Sequence, residues 1–113
     1  MTTYKTAELS GPLLDEAVAK AQDWALRHHH FGCECWRDSN DELKAFQYKP
    51  SRDWITGGSI VDRERIGLIP QEDGKTWLAK VATSDWIVGG ATALEAAMRA
   101  YVVAKLGEEV ELP

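Results

Sequence analysis

The chain has 113 residues, 44% of them apolar and 27% charged, with 18 acidic against 13 basic side chains for a net charge of −5. That length and balance suit one folded domain over residues 1–113, and they exclude a disordered, collagen-like or disulfide-stapled chain. The acidic surplus repels phosphate and argues against nucleic-acid binding. No apolar run approaches the ~20 residues that span a bilayer and no signal-like core follows Met1, so a cytoplasmic protein without membrane contact is expected.

Ser10-Gly11-Pro12 announces the first helix, with Asp15 and Glu16 complementing its dipole. Leu13, Leu14, Ala17, Val18, Ala21, Trp24 and Ala25 fall on one stripe, which predicts a helix over 12–27. Residues 31–36 and 43–48 read as a hairpin around the polar turn Asp38-Ser39-Asn40-Asp41. After Pro50, Ser51 is placed to cap a short turn carrying Trp54, and Gly57-Gly58 to break it before a short helix over 59–66.

Residues 76–82 read as a further strand. Thr92-Ala93-Leu94-Glu95 is a capping box that opens a helix with Leu94, Ala97, Met98, Tyr101 and Val102 on its apolar face. Gly107 ends that helix and leaves a short acidic tail, 108–113. The fold class expected is α+β: a small, mostly antiparallel sheet of about three strands packed with two main helices and one short helix.

One hexapeptide pattern, Asp-Trp-Ile-x-Gly-Gly, occurs at 53–58 and again at 85–90, each copy leading toward a helix. Convergent turn chemistry accounts for it better than duplication, because the residues after the two copies diverge. Tryptophans wedged into the core beside tight turns are the first reading of these letters. The alternative places the glycine pairs at helix N-termini, where unpaired N–H groups would meet an anion.

Three blocks resemble the NinX family, small phage proteins from the nin region of lambdoid phages. They are Lys5-Thr6-Ala7-Glu8-Leu9 with Gly11, Leu14-Asp15 and Ala17-Val18-Ala19; Tyr48, Pro50-Ser51, Asp53-Trp54, Gly57-Gly58, Ile60, Arg63 and Ile66; and Thr92, Leu94, Ala96 through Arg99, Tyr101-Val102 and Ala104 through Gly107, with Glu109-Val110 and Pro113. The resemblance implies a phage or prophage origin and action inside the infected bacterium, and it implies no particular reaction. The His-Cys segment at 28–35 and the second hexapeptide depart from the family pattern.

His28, His30, Cys33 and Cys35 bring nitrogen and sulfur donors close together, yet Cys-x-Cys is awkward for one zinc ion, so no metal is expected and this set remains the alternative. Cys33, His30 and Asp38 do not form a recognised nucleophile constellation, and no phosphate-loop or dinucleotide fingerprint is present. No catalytic residue, no cofactor and no enzymatic activity are therefore expected.

Two binding readings remain. In one, a small anionic, nucleotide-like ligand meets Ser51 and the N–H groups near Gly57 and Gly58, with Arg63 or Arg99 neutralising it and Trp54 stacking; Asp53 would oppose it unless it caps the turn. In the other, ranked first, the chain binds a host or phage protein. Five tryptophans exceed what a core of this size needs, leaving Trp36 or Trp86 as surface anchors. A homodimer is a further outlet for the same aromatics.

Overall fold

The computed structural model describes residues 2–28 and 34–113. Among these residues the fold is α+β, with three α-helices and three antiparallel sheets of two, three and three strands. β1 (Thr2–Lys5) pairs with β8 (Glu109–Leu112), so that Thr2 faces Leu112 and Lys5 faces Glu109. β2 (Ala25–His28), β3 (Glu34–Arg37) and β4 (Leu43–Ala45) form a second sheet in sequence order. β5 (Ile66–Pro70), β6 (Trp77–Val81) and β7 (Val88–Gly90) form the third.

The longest helix, α3 (Ala93–Leu106), lies across the inner face of the β5-β6-β7 sheet and meets both α1 (Gly11–Ala21) and α2 (Trp54–Glu64). Its buried positions, among them Ala96, Ala97, Met98, Ala100 and Val102, run around most of its circumference. A helix apolar on so many sides must be covered on so many sides, and that makes α3 the axis of the core. Leu14 and Val18 of α1, Ile60 of α2, Ala79 and Val81 of β6, and Val110 and Leu112 of β8 close around it. Among the described residues, none from β2, β3 or β4 joins this cluster.

The capping box at the start of α3 is present. Thr92 Oγ1 accepts from Glu95 N–H at 3.0 Å, and the Glu95 carboxylate accepts from Ala91 N–H at 3.0 Å, one residue earlier than the pattern predicts. Gly107 ends the helix at φ +94°.

Helix α1 stops at Ala21, not near Arg27. Asp23 turns left-handed at φ +62°, and Ala19 O accepts from both Gln22 and Trp24 N–H, which closes the helix and releases residues 25–28 into β2. Trp24 leaves the helical stripe and packs against Tyr48, ring centres 4.6 Å apart. The expected hairpin appears with shorter strands, β3 and β4; residues 31–33 of its first strand lie outside the described residues.

Helix α2 begins five residues before the expected start at Ser59. Asp53, not Ser51, is its cap, its carboxylate accepting from Ile55 N–H (3.0 Å) and Thr56 Oγ1 (3.0 Å). Gly57 and Gly58 therefore lie inside the helix and do not break it. Arg65 in the left-handed region ends α2 and passes the chain directly into β5. The segment 109–112, read from sequence as part of an acidic tail, is strand β8 with Val110 and Leu112 buried.

Candidate functional site

The two hexapeptides take different backbones. The first is the cap and first turns of α2; the second is a loop running into β7, so its glycines belong to a strand and not to a helix start. The expectation of two equivalent glycine pairs at helix N-termini is corrected on both copies.

What the copies share is their neighbour. A Cβ on Gly57 would lie 2.7 Å from Leu94 Cδ2 and would collide with the Pro50 carbonyl, whereas a Cβ on Gly90 would lie 2.5 Å from Ala96 N. Each motif thus spends one glycine on bringing its segment against the start of α3. The partner glycines are roomier: Gly58 would meet only Trp54 Cε3 at 3.7 Å, and Gly89 only Leu78 Cδ2 and Trp77 O, both at 3.7 Å.

The tryptophans do not follow the glycines inward. Trp54 is 57% exposed and Ile55 85%, while Trp86 is 49% and Ile87 59% exposed. The packing reading therefore holds for Gly57 and Gly90 and fails for Trp54 and Trp86. The first glycine of one motif, Gly57, and the second of the other, Gly90, draw the backbone in, and each Trp-Ile pair is left facing solvent.

The third sheet continues this apolar surface. Its inner positions, Ile66, Ala79, Val81 and Val88, belong to the core. On the opposite face the register sets exposed Ile69 beside half-buried Leu78, and Leu78 beside Gly89. An antiparallel sheet with one wet face ordinarily carries polar residues there; this one carries a row of two aliphatics and a glycine.

Ser51, Arg52, Trp54, Thr92, Ala93 and Leu94 line an open depression of about 300 Å³ at the start of α3. Ser51 is 6% exposed, and its N–H donates to Asp15 Oδ1 at 2.8 Å. Its Oγ is buried without a hydrogen-bond partner. Arg52 Nη2 and Nε reach Asp15 Oδ2 at 2.8 and 3.3 Å. Asp15, read from sequence as a dipole-complementing residue, is instead a buried carboxylate joining α1 to the turn before α2. No local pattern marked it, because its partners lie 36 and 37 residues away.

The two arginines proposed as anion neutralisers are occupied elsewhere. Arg99 Nε donates to Leu9 O at 2.6 Å and Nη1 to Gly89 O at 2.9 Å, with Glu95 at 3.3 Å from Nη2. It fastens α3 to the turn before α1 and to β7. Arg63, at the far end of α2, pairs with Glu64 at 2.9 Å and lies over the Tyr101 ring at 5.9 Å. Burial raises the Tyr101 hydroxyl pKa, partly offset by this guanidinium, and burial raises that of Tyr48, partly offset by the hydrogen bond from Gln22. Neither arginine lines the Trp54 depression.

The second motif borders a different groove, of about 370 Å³, lined by Trp86, Ile87, Val88 and Gly89 together with Lys5, Ala7, Val103, Glu108 and Glu109. Of the His-Cys set, Cys35 is buried in β3 and His28 ends β2, while His30 and Cys33 lie outside the described residues. Among the described residues, no group of three His, Cys, Asp or Glu side chains is placed to hold a metal ion. No helix among them is long and apolar enough to cross a membrane.

Fold and surface together define a small α+β protein whose least ordinary feature is apolar side chains held outward by a tightly built frame. The chain belongs to the phage family described as Bacteriophage P22, NinX, whose model matches residues 5–105. No curated protein matches it.

Proposed function

We propose that this phage accessory protein is non-enzymatic and acts in the cytoplasm of the infected bacterium by binding another protein, of host or phage. The observation that carries this reading is the outward placement of Trp54-Ile55 and Trp86-Ile87. Leaving large apolar side chains in water forgoes roughly 1.5–3 kcal/mol each relative to burial. Tryptophan in particular is the residue most often found anchoring protein interfaces. The same surfaces would serve a homodimer.

The test is a capture from lysate of infected cells with three baits: the wild-type chain, a Trp54→Ala/Ile55→Ser double variant and Trp86→Ala. A protein retained by the wild type and reduced about tenfold or more by one of the variants, with the thermal midpoint unchanged, is the expected result. Identical profiles from all three, together with a monomer in sedimentation, would remove the reading.

A second reading, a small anionic, nucleotide-like ligand, is favoured by the unpartnered Ser51 Oγ beside Trp54 and the first turn of α3. Its place is the depression at the start of α3, where Thr92, Ala93 and Leu94 line the same opening as Ser51 and Trp54. Calorimetric titration with nucleotides and inorganic phosphate, against Ser51→Ala and Trp54→Ala, decides it: heat that both variants abolish supports it, and no heat at millimolar ligand excludes it.

A further inference from the structure

The groove beside β7 carries a chemical signature that the Trp54 depression lacks. One side is the indole of Trp86 and the side chain of Ile87, each about half in solvent, and the largely buried Val103 of α3 also reaches the lining. The other wall comes from the junction of β1 with β8 and holds Lys5, Glu108 and Glu109. Lys5 stands directly across from Glu109 in the strand pair, leaving the groove with one carboxylate more than it has cations. Among the described residues, Glu108 and Glu109 take part in no ion pair, in contrast to Glu64 and Glu95, which do. Arg99, which donates to the carbonyl of the groove-lining Gly89, is held there by Leu9 O and Glu95 as well.

An exposed indole beside unpaired carboxylates is a receptor for a cation carried on an apolar stem. The π face attracts a guanidinium or ammonium, the carboxylates accept its N–H groups, and the aliphatic neighbours cover its methylenes. The overall charge of −5 works in the same direction by drawing a positive segment toward the surface. An anion would meet the opposite field.

We propose that this groove docks a basic polypeptide segment of a partner, an arginine or lysine lying against Trp86 with its charge on Glu108 and Glu109 and an apolar neighbour on Ile87 and Val103. This deepens the protein-binding reading and rests on it.

The test uses the full chain, labelled with nitrogen-15, and three synthetic eight-residue peptides: one alternating Arg and Leu, one with every Arg replaced by Glu, and one with every Leu replaced by Ser. The Arg-Leu peptide is expected to produce saturable shifts at the Trp86 indole N–H and at the Glu108 and Glu109 amides. The Ser-containing peptide is expected to bind about tenfold more weakly and the acidic peptide not to bind. Trp86→Ala and the Glu108→Gln/Glu109→Gln pair should each weaken the Arg-Leu peptide about tenfold, with 300 mM salt acting in the same direction.

Shifts centred elsewhere, equal binding of the acidic peptide, or indifference to both variants would overturn the proposal, as would no saturable shift at millimolar peptide. A partner captured from lysate that is lost with Trp54→Ala/Ile55→Ser but kept with Trp86→Ala and the double Gln variant would leave the protein-binding reading intact and remove the groove alone.

Discussion

Gly57 and Gly58 are adjacent in α2, yet a methyl group added to each should have effects of opposite sign. At Gly57 it would strike the Pro50 carbonyl and Leu94, so Gly57→Ala is expected to destabilise the fold by about 1–3 kcal/mol or more. At Gly58 it would find ordinary van der Waals distance to Trp54, and the gain in helix propensity should stabilise by about 0.5–1 kcal/mol. Urea unfolding of the two variants checks both signs at once. Asp73 offers a second residue-scale expectation. Its carboxylate accepts from Lys75 N–H at 2.8 Å, Thr76 Oγ1 at 2.7 Å and Thr76 N–H at 2.9 Å, which lowers its pKa below the ordinary 3.8. A carboxyl that ionises more readily folded than unfolded stabilises the fold above its unfolded pKa, and that contribution is lost as pH falls through the lowered value. An NMR titration of the Lys75 and Thr76 amides should therefore report a midpoint below 3.8, and a midpoint at or above it would contradict the geometry.

Between elements, the Asp15 carboxylate ties α1 to the turn that precedes α2. Asp15→Ala would strand the buried Ser51 N–H and is expected to cost about 1–3 kcal/mol, with Arg52, half in solvent, adding little. Thermal unfolding of Asp15→Ala beside Arg52→Ala would separate the two contributions. The α3 helix was legible because Thr92, Glu95 and Gly107 state its ends locally and its apolar positions recur at helical spacing. β5 was not legible: Ile-Gly-Leu-Ile-Pro is apolar on both faces, so no period of two marks it, and Pro70 reads as a loop residue. The apolar stripe runs past the end of α1 because Trp24 and Ala25 continue it, while the left-handed turn at Asp23 that ends the helix has no strong sequence mark. Propensity places a break at Gly57-Gly58, but the contact of Gly57 with Pro50 and Leu94 is tertiary and overrides it. The same limit applies to the site. Ser51, Trp54 and Thr92 converge only once α2 and α3 are packed, and the free or engaged state of Arg63 and Arg99 depends on partners far along the chain.

At the scale of the whole molecule, the frame is closed by the β1–β8 pair rather than by the central sheet. Lys20 Nζ reaches the Glu111 carbonyl at 2.7 Å, and Thr6 donates through its N–H to Glu108 O and through Oγ1 to Gly107 O, both at 2.8 Å. Deleting 109–113 would remove Val110 and Leu112 from the core and leave β1 unpaired. Their burial is worth about 1.5–3 kcal/mol each, so the shortened chain is expected to lose its cooperative unfolding transition or move it far toward lower urea. The strand pair also fixes where any attached reporter would emerge. Thr2 and Leu112 stand opposite one another, so a brief glycine-serine bridge would join the two ends, and the ring could be reopened at the Asp73-Gly74 hairpin tip. A circularly permuted chain of this kind should keep the groove beside Trp86 intact while presenting its fusion partners from the tip of the β5–β6 hairpin, none of whose residues lines that groove.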